Sequence, residues 1–122
     1  MLNANIIVGN YKFKIDFHKT ETARKIYENL PIYGVVNFWG DEVYFFTNLK
    51  MDLEDNARDV VKKGELAYWP NGDAIAIGFG QTPISIANEI RLADKCNIWG
   101  TTKFDLEKLK ITIPQEKIII SK

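Results

Sequence analysis

The chain has 122 residues, 46% of them hydrophobic and 26% charged, the balance of one folded domain rather than of a disordered segment or two ordinary domains. The 16 basic side chains are matched by 16 acidic ones, so no charge excess drives counterion release from a polyanion or attraction to an anionic bilayer, and neither nucleic acid nor membrane is an expected partner. Cys96 is the single cysteine, no apolar run nears the roughly 20 residues of a spanning helix, and the first residues lack a signal-peptide pattern, which together predict a cytoplasmic protein.

Strand alternation begins at once. Ala4 to Val8 is apolar-rich, Gly9-Asn10 supplies a turn that tolerates positive φ, and Tyr11 to His18 alternates. A period of two turns Tyr11, Phe13, Ile15 and Phe17 inward and Lys12, Lys14, Asp16 and His18 to water. The period then changes. Ala23, Ile26, Tyr27 and Leu30 fall on one stripe of an amphipathic helix over about residues 21–30. Thr20 is its expected N-cap, Glu21 complements the positive end of its dipole, and Pro31 stops it. Ile32–Trp39 and Glu42–Thr47 read as strands joined by Gly40-Asp41. A second short helix is expected over about residues 53–62, burying Leu53, Ala57, Val60 and Val61 and ending at Gly64.

GELAYWPNGDAIAIGFG reads as a hairpin with Asn71-Gly72 as a two-residue type I′ turn. Beyond the turn, Ala74, Ala76 and Gly78 alternate with Ile75, Ile77 and Phe79. One face is bulky and the other nearly bare, which suits a barrel wall that backbone or ligand approaches closely. Gln81 to Asp94 is irregular, Cys96 to Thr102 reads as a strand, and Lys117 to Ile120 reads as a closing strand after Pro114. Many short strands with two short helices point to a barrel or sandwich. No repeat or linker divides residues 1–122, so a single domain is expected.

The order of hairpin, TARKIYENLP helix, paired strands, second helix and further strands resembles cyclophilin. Three stretches, NFWGDEVYFF, GELAYWPNGDAIAIGFGQTP and EIRLADKCNIWG, are similar to a branch of short prokaryotic cyclophilin-like proteins. The resemblance implies a mainly β fold, a cyclophilin-like closed β-barrel with two short helices, and in that branch no reaction is generally assigned. Prolyl isomerases of the wider family carry a Phe-His-Arg motif on a barrel strand and a Gln-Gly-Gly stretch soon after. Here the arginines are Arg24, Arg58 and Arg91, the histidine is His18, and neither motif is present. Fold by itself does not carry the activity across.

The remaining chemistry is sparse. One His and one Cys offer no recognisable metal-ligand spacing, so neither a metal nor another cofactor is expected. His18 alternates into solvent, and Cys96 sits in an apolar strand where a small core residue fits better than a nucleophile. Asp41-Glu42, Asp52, Glu54-Asp55 and Asp59 are candidate acid–base carboxylates, although solubility and dipole complementarity, at a turn and around a helix, explain them better. GFGQTP lacks the spacing and the ending of a phosphate loop.

Trp39, Trp69 and Trp99 each precede Gly or Pro at a strand end, where an indole covers a barrel rim. The functional reading gathers Tyr68, Trp69, Phe79, Gln81 and Thr82 around one concave site, with Arg91 as a charged anchor or as a surface ion pair with Glu89 or Asp94. The leading expectation is a domain that binds a small molecule or an extended peptide without prolyl isomerase activity. The alternatives are an isomerase-like enzyme with a non-standard site and a structural or oligomerising protein whose aromatic rim is an interface.

Overall fold

The computed structural model describes residues 2–112 and 114–122. Strands β1 (Asn3–Val8) and β2 (Tyr11–Phe17) form the opening hairpin, with Val8 opposite Tyr11 and Gly9 at φ 55°. Alternation along β2 buries Phe13, Ile15 and Phe17 and leaves Lys12, Lys14 and His18 exposed. Helix α1 (Glu21–Glu28) follows, and the Thr20 hydroxyl accepts from the Ala23 N–H at 3.1 Å, satisfying one of the free donors of the first turn. Its buried side, Thr22, Ala23 and Ile26, packs onto the barrel.

The remaining strands are β3 (Ile32–Val35), β4 (Asn37–Phe38), β5 (Glu42–Phe46), β6 (Arg58–Val61), β7 (Glu65–Trp69), β8 (Ala74–Gly78), β9 (Ile90–Thr101) and β10 (Lys117–Ser121). Their order is β3-β10-β1-β2-β9-β7-β8-β5-β4, with neighbouring strands antiparallel throughout. β3 and β4 are consecutive stretches of one chain separated at Val36, so the two ends of that order meet. The result is a nearly closed antiparallel barrel. Gly34 makes the closure tight, because a Cβ there would lie 2.6 Å from Phe45 Cδ2. Val43, Phe45, Leu66, Tyr68, Ile75 and Ile77 fill the interior with residues of β1, β2 and β10.

A second apolar layer lies on the outside. β9 is 12 residues long. Its C-terminal half pairs with β7 and β2 in the wall, whereas Arg91 and Ile90 at its start pair with Val60 and Val61 of β6. That arm places Val61, Ile90, Leu92 and Cys96 against Ala67 and Ala76 of the wall, with Tyr44 and Trp69 at the margin. The nearly bare face of β8 is what admits the arm. A Cβ on Gly78 would stand 2.5 Å from Ile90 Cγ2. Among the described residues, no helix is long and apolar enough to cross a membrane.

Three expectations are corrected. Residues 53–62 form no helix: residues 58–61 are β6, and Leu53 is exposed. The physical reason is Asn97, whose fully buried amide accepts from the Glu54 N–H at 2.8 Å and donates to the Asp52 carbonyl at 2.9 Å. Those bonds pin residues 52–54 to β9, residues 58–61 pair with the same strand, and a helix this short is marginal without tertiary support. The hairpin turn is a 3₁₀ turn over Pro70–Gly72 closed by Asp73 at φ 50°, not a type I′ pair. Pro70 fixes a negative φ at its start, and Gly72 serves to make room, since a Cβ there would overlap Cε3 and Cζ3 of the Trp69 ring. Finally, Trp99 is no rim residue. It is fully buried and packs at 5.2 Å against Phe17 in the barrel core.

Candidate functional site

Alternation on β7 separates the two residues expected to act together. Tyr68 points into the barrel and is fully buried, its hydroxyl bonded to the Leu49 carbonyl at 2.9 Å and to Asp73 Oδ1 at 3.2 Å. Burial first, and then the Asp73 charge, push its phenol up to about 12. Trp69 points outward to the second layer. Phe79 is buried in the barrel core. Gln81 is exposed and donates its amide to the Ala87 carbonyl. Thr82 is buried, with its N–H on Ser85 Oγ and its hydroxyl on the Arg91 carbonyl, so it shapes the loop before β9.

Arg91 is fully engaged. Nε and Nη2 hold the two Glu89 oxygens at 2.9 and 3.1 Å, and Nη1 holds Asp59 Oδ2 at 2.7 Å. Of the six expected site residues, the structure places only Trp69 in the cavity described next. The shared site does not form, because a strand sends neighbouring side chains to opposite faces and the loop carrying Gln81 and Thr82 is tied down by its own hydrogen bonds.

A different constellation occupies the outer face. Trp39, Tyr44 and Trp69 line a cavity of about 260 Å³ together with Glu42, Ala76, Leu92, Ala93 and Cys96. Sheet register brings them there. Glu42 lies opposite Gly78 and Tyr44 opposite Ala76, so the outward residues of β5 flank the small residues of β8. Trp69 pairs with Ala74 at the far end of the same wall, and the β9 arm supplies Leu92 and Cys96 as the opposite side.

Glu42 dominates the electrostatics of this cavity. The residue is 6% exposed, and its Oε1 has no hydrogen-bond partner among the described residues. Desolvation raises its carboxyl from the ordinary 4.5 to about 7, because removal from water disfavours the charged form. Burial likewise pushes the Cys96 thiol up to about 12, with the neighbouring Glu42 charge adding to it, which leaves a protonated thiol and not a nucleophile. Its Sγ donates to the Asp94 carbonyl at 3.4 Å. Trp69 Nε1 is buried without closing a hydrogen bond. It adds only the weakest of the pulls that lower the Asp94 carboxyl, behind the bonds from Asn71 and the Lys95 N–H.

In the sequence Glu42 reads as half of an acidic pair at a turn, an acid–base candidate better explained as a solvated surface. Its partner Asp41 does reach an exposed lysine, Lys110, at 3.5 Å. The signal that separates them is the Glu42-Val43-Tyr44-Phe45 alternation, which puts Glu42 on the face of Tyr44. A larger hollow beside α1, of about 1040 Å³, is bordered by the exposed side chains of His18, Lys19, Glu21 and Arg24. There Arg24 is committed to Glu21 and Glu28, and none of the described lining residues carries a buried orphan group. Among the described residues, no three His, Cys, Asp or Glu side chains are grouped to hold a metal ion.

Comparison with known proteins agrees with this architecture. The solution structure of the hypothetical protein AF2241 from Archaeoglobus fulgidus superposes with a TM-score of 0.80 at 34% sequence identity, covering 98% of this chain and 92% of that one. No curated protein matches the chain. The family model for cyclophilin-like proteins matches residues 3–121. With that span and the nearly closed barrel, the chain belongs to the cyclophilin-like family.

Proposed function

We propose that this domain binds a small organic molecule in the outer-face pocket and has no prolyl isomerase activity. The observation that carries the reading is Glu42, a buried carboxyl with an unpartnered oxygen beside three aromatic side chains. A polar group left unpaired in a folded interior costs about 1–3 kcal/mol. A ligand that supplies the missing donor recovers part of that cost on binding. An aromatic lining with one or two directing polar groups is the usual make-up of a small-ligand site. The cavity's size favours a small molecule over an extended peptide.

The test is a fragment screen read by the indole N–H resonances. Ligands are expected to move the Trp39 and Trp69 signals, while Trp99, sealed in the barrel, serves as an internal reference. Trp69→Ala is expected to weaken the best fragment by about 1–3 kcal/mol through lost aromatic contact. Fragments that bind elsewhere, or unchanged affinity in Trp69→Ala, would overturn the assignment.

The isomerase alternative needs a free cation to stabilise the twisted amide. Arg91 is held by Glu89 and Asp59, and the other arginines are paired with Glu21, Glu28 and Glu65. A protease-coupled peptide assay is expected to show no turnover above the uncatalysed rate. Turnover comparable to an ordinary cyclophilin would restore that alternative.

A further inference from the structure

The pocket is chemically one-sided. Glu42, a residue 6% exposed, brings a carboxyl with an orphan oxygen, Trp39, Tyr44 and Trp69 bring electron-rich rings, and none of the described lining residues is Lys, Arg or His. Asp94 adds to the negative field at Cys96 on the opposite wall, while Asp59 is paired with Arg91. An anionic ligand would meet the Glu42 carboxylate with no cation in the described lining to offset it. A neutral ligand would gain apolar contact and one ordinary hydrogen bond.

A protonated amine gains three things at once. Its N–H donates to the carboxylate in a charge-assisted bond, its charge is attracted to the aromatic side chains, and its hydrocarbon part lies against Ala76 and Leu92. The cavity of about 260 Å³ is smaller than most drug-sized sites, which fixes the scale of the guest. Resting on the reading that this pocket is the binding site, we infer that its ligand is a compact organic ammonium ion, a protonated primary or secondary amine anchored by Glu42.

Three probes of one shape separate the possibilities: cyclohexylammonium, cyclohexanol and cyclohexanecarboxylate, titrated near pH 8 against the Trp39 and Trp69 indole resonances. Cyclohexylammonium is expected to bind at least about tenfold tighter than the alcohol, and the carboxylate is expected not to bind. In Glu42→Gln the preference for ammonium over alcohol should vanish while the alcohol still binds. If the alcohol matches the ammonium ion at the pocket, the ligand class is wrong and the pocket assignment stands. An ammonium preference that survives in Glu42→Gln removes Glu42 as the anchor. If none of the three moves either indole, the inference falls and the pocket assignment falls with it.

Discussion

Replacing Glu42 by glutamine is expected to make the protein more stable near pH 8, by about 3 kcal/mol at most, and to leave it nearly unchanged near pH 4.5. The direction follows from where the proton sits. The folded state holds Glu42 at about 7, whereas an unfolded chain releases that proton near the ordinary 4.5. Between those values the folded state binds the proton and the unfolded state does not, so stability falls as pH rises through the interval. Below it the contribution is fully present. Above about 7 the folded protein carries the whole cost of a buried carboxylate with one unpartnered oxygen. Glutamine keeps the shape and cannot ionise.

Other acids tilt the profile the opposite way. Arg24 lowers Glu21, Arg58 lowers Glu65, and Arg91 lowers Glu89, and stabilisation from such lowered acids is lost as pH falls. These groups are shared by wild type and variant, so the difference between the two denaturation profiles isolates Glu42. A gap that stays constant with pH, or a variant less stable than wild type near pH 8, would contradict the assignment. The result also bears on function. A charge held in place at a cost to folding is where a binding site is expected, because nothing in the fold itself requires it.

How much of this was legible in the sequence depends on the range of the interactions. β2 and α1 are set by neighbours two to four residues apart, so the alternation from Tyr11 to Phe17 and the Thr20 cap were readable. The bare face of Ala74, Ala76 and Gly78 was also readable as a place of close approach, but not what approaches it. The occupant is the β9 arm, which enters through β6, a strand that lies within a segment carrying a helical stripe. The site failed for the same reason. Tyr68 and Trp69 are adjacent in sequence and occupy opposite faces, while Glu42, Trp69 and Cys96 converge only through strand pairings that no local pattern encodes. Closure of the barrel by β3 and β4 is likewise a long-range property, and resemblance to a family supplied it.

Asn97→Ala is expected to destabilise the fold by about 3 kcal/mol and to release the segment before β6. Asn97 is fully buried on β9, and its amide makes three bonds to two separate parts of the chain. Oδ1 accepts from the Glu54 N–H at 2.8 Å, and Nδ2 donates to the Asp52 carbonyl and to Thr22 Oγ1, both at 2.9 Å. Thr22 in turn donates its hydroxyl and its N–H to Glu54 Oε2 at 2.7 and 3.0 Å. One side chain thus ties the start of α1, residues 52–54 and the barrel wall together. Truncation leaves the Glu54 N–H and the Asp52 carbonyl without partners and opens a void where the amide stood. Asn97→Asp is no rescue, since a second oxygen would face the Asp52 carbonyl and bring an unpaired charge into the interior. The expected signature is a lower urea midpoint together with lost hydrogen-exchange protection at the Glu54 amide. With its anchors gone, the segment is free to sample the helix that its own stripe favours. A loss below about 1 kcal/mol with the Glu54 amide still protected would show that this network does not hold the segment.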